Sequence, residues 1–182
     1  MSPVSQTLPR KLAGFGPRFA LAMTAAVVIV GAALAGAWSG VARMAMSARL
    51  HAPDMAVWNA LSPAIKIHLL TAVAALILGG VLMAARKGRV FHRVAGWVWV
   101  VLVATTAGAT LFITSLNHGT WSLLHLFTGW VLLALPLGVI WARRHEVQRH
   151  RKMMMGLFYG GFALNLAFAL IPGRAIWMMF LG

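Results

Sequence analysis

The sequence predicts an all-α integral membrane protein with five transmembrane helices, of which the last four form a bundle of two duplicated helical hairpins. Three observations predict this fold. Hydrophobic residues make up 61% of the chain and charged residues 10%, five apolar segments are long enough to cross a bilayer, and one histidine motif occurs twice. A soluble domain needs more polar residues to cover its surface, so the composition excludes that class.

Each predicted span meets the requirement of roughly 17 to 25 predominantly apolar residues for a transmembrane helix. The five spans are 19–37, 64–85, 94–115, 121–142 and 153–171. We therefore divide the chain into 1–62, with the N-terminus, the first helix and an outer loop, and 63–182, the four-helix bundle with a short outer C-terminal tail. The first span also resembles a signal peptide, but its length of about 19 residues favours an uncleaved helix.

The positive charges, which give a net charge of +14, are distributed unevenly along the chain. If the spans alternate in direction, twelve of the sixteen Lys and Arg residues lie on one side, and only Arg43, Arg49, Lys66 and Arg174 lie on the other. The positive-inside rule then predicts a multi-pass protein of the bacterial inner membrane with a cytoplasmic N-terminus. We interpret the basic runs as anchors at the lipid bilayer and expect no nucleic-acid partner.

A histidine motif marks the two hairpins. His68-Leu69-Leu70-Thr71 and His125-Leu126-Phe127-Thr128 are two copies of it, and His92-Arg93 and His150-Arg151 follow them 24 and 25 residues later. Because successive spans alternate, His68 and His125 share the outer half of the membrane, and His92 and His150 share the inner half. Parallel repeats that pack about an axis along the membrane normal would place equivalent histidines opposite each other.

Two facing imidazoles at each of two depths are typical of axial ligation of haem iron inside a helix bundle. The pattern predicts two b-type haems, one held by His68 and His125 and the other by His92 and His150. Cysteine is absent, and neither of the two acidic residues lies in a predicted span. These absences exclude thiolate clusters, covalent c-type haem and carboxylate proton relays, so no catalytic acid or base is predicted.

Small residues one helical turn after a histidine leave room for a flat ring. Gly96 follows His92 at this spacing, and Gly129 follows His125. Ala72, Ala75 and Gly79 follow His68, whereas Met154 follows His150 and leaves less room. Haem propionates need cationic or hydrogen-bonding partners, for which the sequence offers Arg93 and Arg151 on the inner side and Lys66, Arg174 and Asn165 on the outer side. At about 1.5 Å per residue, the two histidine levels are roughly 25 Å apart.

The stretch from about Ile67 to Arg174 resembles the bacterial predicted membrane proteins grouped as domain of unknown function 2306. The resemblance rests on His68 with Gly79-Gly80, on His125, and on the segments from His92 to Trp97 and from His150 to Met154. The order of the histidines on four successive helices is also similar to the cytochrome b-561 group, diheme proteins that carry electrons across membranes from ascorbate or other reductants. This resemblance implies that His68 and His125 bind the outer haem, and His92 and His150 the inner one.

We therefore expect transmembrane electron transfer through two bis-histidine haems, by an electron carrier or a haem-dependent membrane oxidoreductase. The expected partners are a quinone or small reductant and an electron-transfer protein. Two alternatives remain open. A non-catalytic membrane scaffold would use the histidines for hydrogen bonds between helices, and a divalent transition-metal transporter would use the same histidine pairs as transient sites.

Overall fold

The computed structural model describes residues 15–33, 35–113 and 123–182, and the regular structure in these ranges is helical. In chain order the helices are α1 (Phe15–Ala33), α2 (Trp38–Met46), α3 (Met55–Ala60), α4 (Pro63–Ala84), α5 (Val90–Thr110), α6 (Leu123–Arg143), α7 (Val147–Gly156), α8 (Ala163–Ala169) and α9 (Ala175–Phe180). A 3-10 turn at Ala35–Ala37 precedes α2, and a π-helical turn at Leu157–Phe162 joins α7 to α8.

Three of these helices are long and apolar enough to cross a membrane: α4, α5 and the His125–Arg143 part of α6. A fourth span is present if Gly16–Ala32 and Ala35–Met46, which meet at a bend of 64°, count as one. The prediction of an all-helical chain is confirmed for the described residues, and three of their helices are candidate membrane spans. The predicted first span contains that bend, and the predicted fifth span, 153–171, is interrupted by the π turn.

Several parts of the sequence prediction lie outside the described residues. They are the basic residues Arg10 and Lys11, the end of the predicted third span at 114–115, and the start of the predicted fourth span at 121–122.

A tight turn makes α4 and α5 an antiparallel hairpin. The Ser62 hydroxyl accepts a hydrogen bond from the Ile65 backbone N–H at 3.4 Å, and Pro63 occupies the first helical position, where its missing N–H costs nothing. Gly88 adopts a φ of 80° in the turn after α4, a conformation that favours glycine. The turn places His92, at the start of α5, at the opposite end of the hairpin from His68.

The main helices form a ring of neighbours. α5 packs against both α4 and α6, α6 packs against α7 and the π turn, and the π turn returns to contact α4. α1 packs outside this ring, against α8 and the π turn. Among the described residues, α4 and α6 share no extensive contact, and neither do α5 and α7. The ring therefore places α4 and α6 on one diagonal.

A dense layer fills the ring near its middle. Trp99 and Phe158 are 4% and 1% exposed, and the Trp99 indole N–H donates to the Ala75 carbonyl at 2.9 Å. Gly79 lets both rings approach α4, because a Cβ there would come within 2.7 Å of Trp99 Nε1 and would overlap the Phe158 ring. The room that the sequence analysis expected beside Ala75 and Gly79 for a cofactor is thus filled by protein side chains.

Two ends of the bundle differ in charge. We call the end formed by the α4–α5 and α6–α7 turns the basic end; the Arg18 guanidinium at the start of α1 reaches it, 3.9 Å from Met155 Sδ. At the opposite end, the segment before α3 pairs with α9 through backbone hydrogen bonds from Arg49, His51 and Asp54 to Leu181, Phe180 and Met179. Lys66 and Arg174, which begin α4 and α9, lie at this opposite end.

Adding a methyl group at Gly79 should destabilise the bundle, whereas the same change one residue later should not. We expect Gly79→Ala to lower the free energy of unfolding by about 1–3 kcal/mol, because Trp99 and Phe158 must move. Gly80→Ala is the matched control, since a Cβ at Gly80 meets no atom within 4 Å. Thermal unfolding of both variants in detergent measures the difference, and equal stability would contradict the packing of this layer.

Candidate functional site

A cavity of about 600 Å³ lies inside the bundle at the opposite end, under α3 and α9. This size is within the range of about 300–1,000 Å³ that is common for small-molecule and cofactor sites. Its walls are mainly apolar, and four helices and the residue before α9 contribute polar side chains. These polar residues are His68 from α4, Thr106 and Thr110 from α5, His125 and Thr128 from α6, Asn165 from α8 and Arg174, the N-cap of α9.

The ring of His68 is oriented by α5. Its Nδ1 atom lies 3.1 Å from the Thr106 carbonyl oxygen and 2.9 Å from the Thr110 hydroxyl. A carbonyl oxygen can only accept, so Nδ1 carries the proton and donates, which leaves the lone pair on Nε2. The Thr110 hydroxyl donates to the Thr106 carbonyl at 3.0 Å and can therefore accept from Nδ1. This is the tautomer in which Nε2 can act as a metal ligand.

The threonine of the first motif strengthens the same interface. The Thr71 hydroxyl donates to the Ile67 carbonyl at 2.7 Å and accepts from the Thr106 hydroxyl at 2.8 Å. Thr71, Thr106 and Thr110 thus connect α4 to α5 around His68. Thr106 and Thr110 were not among the predicted site residues. Their spacing of four residues places both on one face of α5, and this spacing could have indicated that they act together.

His125 and Thr128 of the second motif are buried in the cavity wall. Each is 5% exposed, and they come from successive turns at the start of α6. His125 therefore meets the cavity from the helix diagonal to the one that carries His68. The structure brings together the two histidines that the sequence analysis paired at the outer level.

The π turn shapes the wall between these histidines. It contributes Gly161 and Phe162 to the cavity lining, and the Asn165 side chain donates to the Gly161 carbonyl at 2.9 Å. π-helical turns locally widen a helix and are frequent at functional sites. Of the two cations predicted to be available to a propionate on this side, half-buried Arg174 lines the cavity, whereas Lys66 donates to the Asn59 carbonyl at 3.1 Å and lies outside the lining.

The inner histidines both lie at the basic end, His92 in the first turn of α5 and His150 in the first turn of α7. His150 Nδ1 donates to the Gly138 carbonyl on α6 at 2.9 Å, which leaves its lone pair on Nε2, as in His68. His92 Nδ1 is buried and has no hydrogen-bond partner among the described residues.

The residues predicted to surround the haems differ in their settings. A Cβ at Gly96 or Gly129 would meet no atom within 4 Å, so both positions have open space beside them. Arg93 and Arg151 are exposed at the basic end. Near His150, Met153 and Met154 pack onto α6 at Gly138 and occupy part of the room beside the ring.

Each level offers two imidazoles rather than a complete shell of protein ligands. In the part of the chain that the structure describes, no three or more His, Asp, Glu or Cys residues are placed to hold a metal ion. Structural zinc sites need four protein ligands and catalytic ones three, whereas iron in a porphyrin needs only two axial ligands from the protein.

Searches among family models, curated proteins and solved structures each give no match to this chain.

The orientation of His68 can be tested without any cofactor. We expect NMR of the imidazole nitrogens in histidine-labelled protein, at about pH 8 where imidazole is neutral, to show His68 protonated at Nδ1. The reason is that the Thr106 carbonyl can only accept a hydrogen bond. His68→Gln assigns the signal by its disappearance. A His68 signal from the Nε2-protonated form would contradict the proposed orientation.

Proposed function

We propose that this protein carries electrons across a membrane through two bis-histidine b-type haems, one at each histidine level. One observation carries the proposal: His68 and His125, from helices on one diagonal of the ring, line a single cavity of about 600 Å³. Two imidazoles that line one mainly apolar cavity are the side chains that a bundle would use to hold a b-type haem.

The residues around this cavity fit a haem. Its apolar walls suit the faces of the porphyrin, and the half-buried Arg174 is available to a propionate carboxylate. The hydrogen bonds to His68 Nδ1 would hold that ring in place as a ligand. A bound haem would supply one-electron redox chemistry, while the protein's residues orient the ligands and exclude water.

The second haem would use His92 and His150 at the basic end. Their position at the same end of the bundle, the hydrogen bond from His150 to Gly138, and the open space beside Gly96 support this assignment. Arg93 and Arg151 are adjacent to these histidines and would serve its propionates. His68 and the inner end of α4 are 16 residues apart in sequence, so the two levels are separated by roughly 25 Å.

The membrane topology that we propose together with this function has five transmembrane spans. We propose α1 as the first span and the run from α7 through the π turn to α8 as the fifth. The repeated motif and the ring of helix contacts support two duplicated hairpins. With the basic end in the cytoplasm of a bacterial inner membrane, the cavity faces outward. A quinone or small reductant would meet one surface and a partner protein the other.

The motif-based resemblances remain part of the proposal. Membership of the domain of unknown function 2306 group, and likeness to the cytochrome b-561 group, rest on His68, His92, His125, His150 and their neighbouring residues.

A non-catalytic scaffold is the second candidate. It is favoured by the hydrogen bonds from His68 to the Thr106 carbonyl on α5 and from His150 to the Gly138 carbonyl on α6, because each connects two helices. Such a protein would purify colourless. A divalent-metal transporter that used the same pairs would bind metal without a haem spectrum.

Replacing either ligand of the outer pair should remove one haem. We expect the wild-type protein, expressed with haem available, to show a b-type spectrum on reduction with dithionite and two haems per chain in a pyridine haemochrome assay. His68→Ala and His125→Ala should each halve this content, since one axial ligand is lost at that level alone.

Histidines outside the two pairs provide the controls for this measurement. His51→Gln, near the cavity end, and His145→Asn, at the basic end, should keep both haems. A colourless wild-type protein, or full haem content in both His68→Ala and His125→Ala, would refute the proposal.

Electron transfer across the bilayer is a separate test. Vesicles that contain the haem-loaded protein and trapped ferricyanide should bleach when ascorbate is added outside. We expect His68→Ala and His92→Ala each to reduce the rate to that of empty vesicles, because either change interrupts the path, while His145→Asn should keep it. A haem-loaded wild-type protein that transfers no faster than empty vesicles would contradict a transmembrane role.

A further inference from the structure

We propose that the basic end contains a binding site for an anionic phospholipid, whose phosphate is held by the cations of the α4–α5 turn and whose acyl chains lie along the exposed face of α5. The proposal uses no histidine and does not depend on bound haem.

The charge of this end has almost no counterpart within the chain. Four Lys and Arg residues lie between Arg86 and Arg93, five lie between Arg143 and Lys152, and all nine are exposed. The sequence contains only two acidic residues. Glu146 forms an ion pair with Arg149 at 2.6 Å, and Asp54 is at the opposite end, where it accepts from the Ala56 N–H. The remaining cations therefore need anions from outside the chain.

The two basic segments lie at the same end of the bundle. The α4–α5 turn and the α6–α7 turn both close this end, and α5 packs against α6 between them. Their positive fields therefore add. A phosphodiester group placed at the turn would be attracted by several side chains at once.

An apolar stripe begins directly below these cations. Val90, Val94, Trp97 and Val101 recur at helical spacing on α5 and are between 52% and 65% exposed. They span 12 residues of sequence, and the first and last Cα atoms are about 16 Å apart along the helix. Arg89 and Arg93 lie at the upper end of this stripe.

The combination of cations and stripe selects the chemical class of the ligand. A free phosphate or a nucleic acid would satisfy the cations but leave the stripe exposed. A zwitterionic lipid would cover the stripe but bring its own positive charge to the turn. A phospholipid with net negative charge matches both parts, and it is abundant where the positive-inside rule places this end.

Purified protein in a neutral detergent allows a direct test. A micelle has no inner and outer leaflet, so the orientation of the protein in a membrane cannot affect lipid binding. Phosphatidylglycerol should raise the unfolding temperature in a saturable way and stay bound in native mass spectrometry. Phosphatidylcholine with the same chains should not. The triple variant Arg86→Gln, Lys87→Gln, Arg89→Gln should bind phosphatidylglycerol about 100-fold more weakly at low salt. Each cation that is removed should lower the affinity about five-fold.

Two further variants locate the site. Arg43→Gln with Arg49→Gln removes two exposed cations from the opposite end and should leave binding unchanged. Val94→Ser with Val101→Ser should weaken binding of phosphatidylglycerol, because the acyl chains lose apolar contact. Equal binding of both lipids, an equal temperature shift with inorganic phosphate, wild-type affinity in the triple variant, or an equal loss in the opposite-end variant would each overturn the proposal.

Discussion

The hydrogen bond from His68 Nδ1 to the Thr106 carbonyl is the interaction on which the candidate site depends. Inside a bilayer no water replaces a lost partner, so polar groups must satisfy each other within the protein. The α5 backbone fixes the proton on Nδ1, and the threonines around it keep α4 and α5 in register. As a result, the ring keeps Nε2 available as a lone-pair donor. The orientation of this imidazole therefore follows from its contact with a backbone carbonyl of α5 rather than from histidine alone.

The dense layer and the cavity are complementary parts of one bundle. Trp99 and Phe158 fill the middle of the ring at Gly79, and Phe162 continues this layer to the cavity wall, with ring centroids 6.4 Å from Trp99 and 5.5 Å from Phe158. The layer fills the middle of the bundle with buried rings. Its Phe162 ring also forms part of the lining of the cavity that His68 and His125 line. Close packing in the middle of the ring thus accompanies an open cavity at the end of the bundle under α3 and α9.

The sequence alone was sufficient for an all-helical chain with candidate membrane spans, because that follows from composition, and its repeat pointed to His68 and His125, which line one cavity. It was not sufficient at Ala75 and Gly79. A small residue on a helix indicates close approach, but only the partner helix decides whether a cofactor or a side chain such as Trp99 approaches. The π turn was missed for a similar reason, since no residue pattern marks it. Thr106 and Thr110 lie outside the repeated motif, and their role depends on how α4 and α5 pack.

Scarcity of carboxylates explains why both ends of this protein are suited to anionic groups. In a chain with two acidic residues, one paired with Arg149 and the other capping α3, the cations cannot be neutralised internally. At the cavity, half-buried Arg174 is placed among apolar walls, where an unpaired charge is costly and a carboxylate from a bound group would offset that cost. At the basic end the cations are exposed, and lipid phosphates can supply the balance. Burial therefore distinguishes the two ends: the half-buried Arg174 is suited to one small anionic group, whereas the exposed cations are suited to several phosphates at a surface.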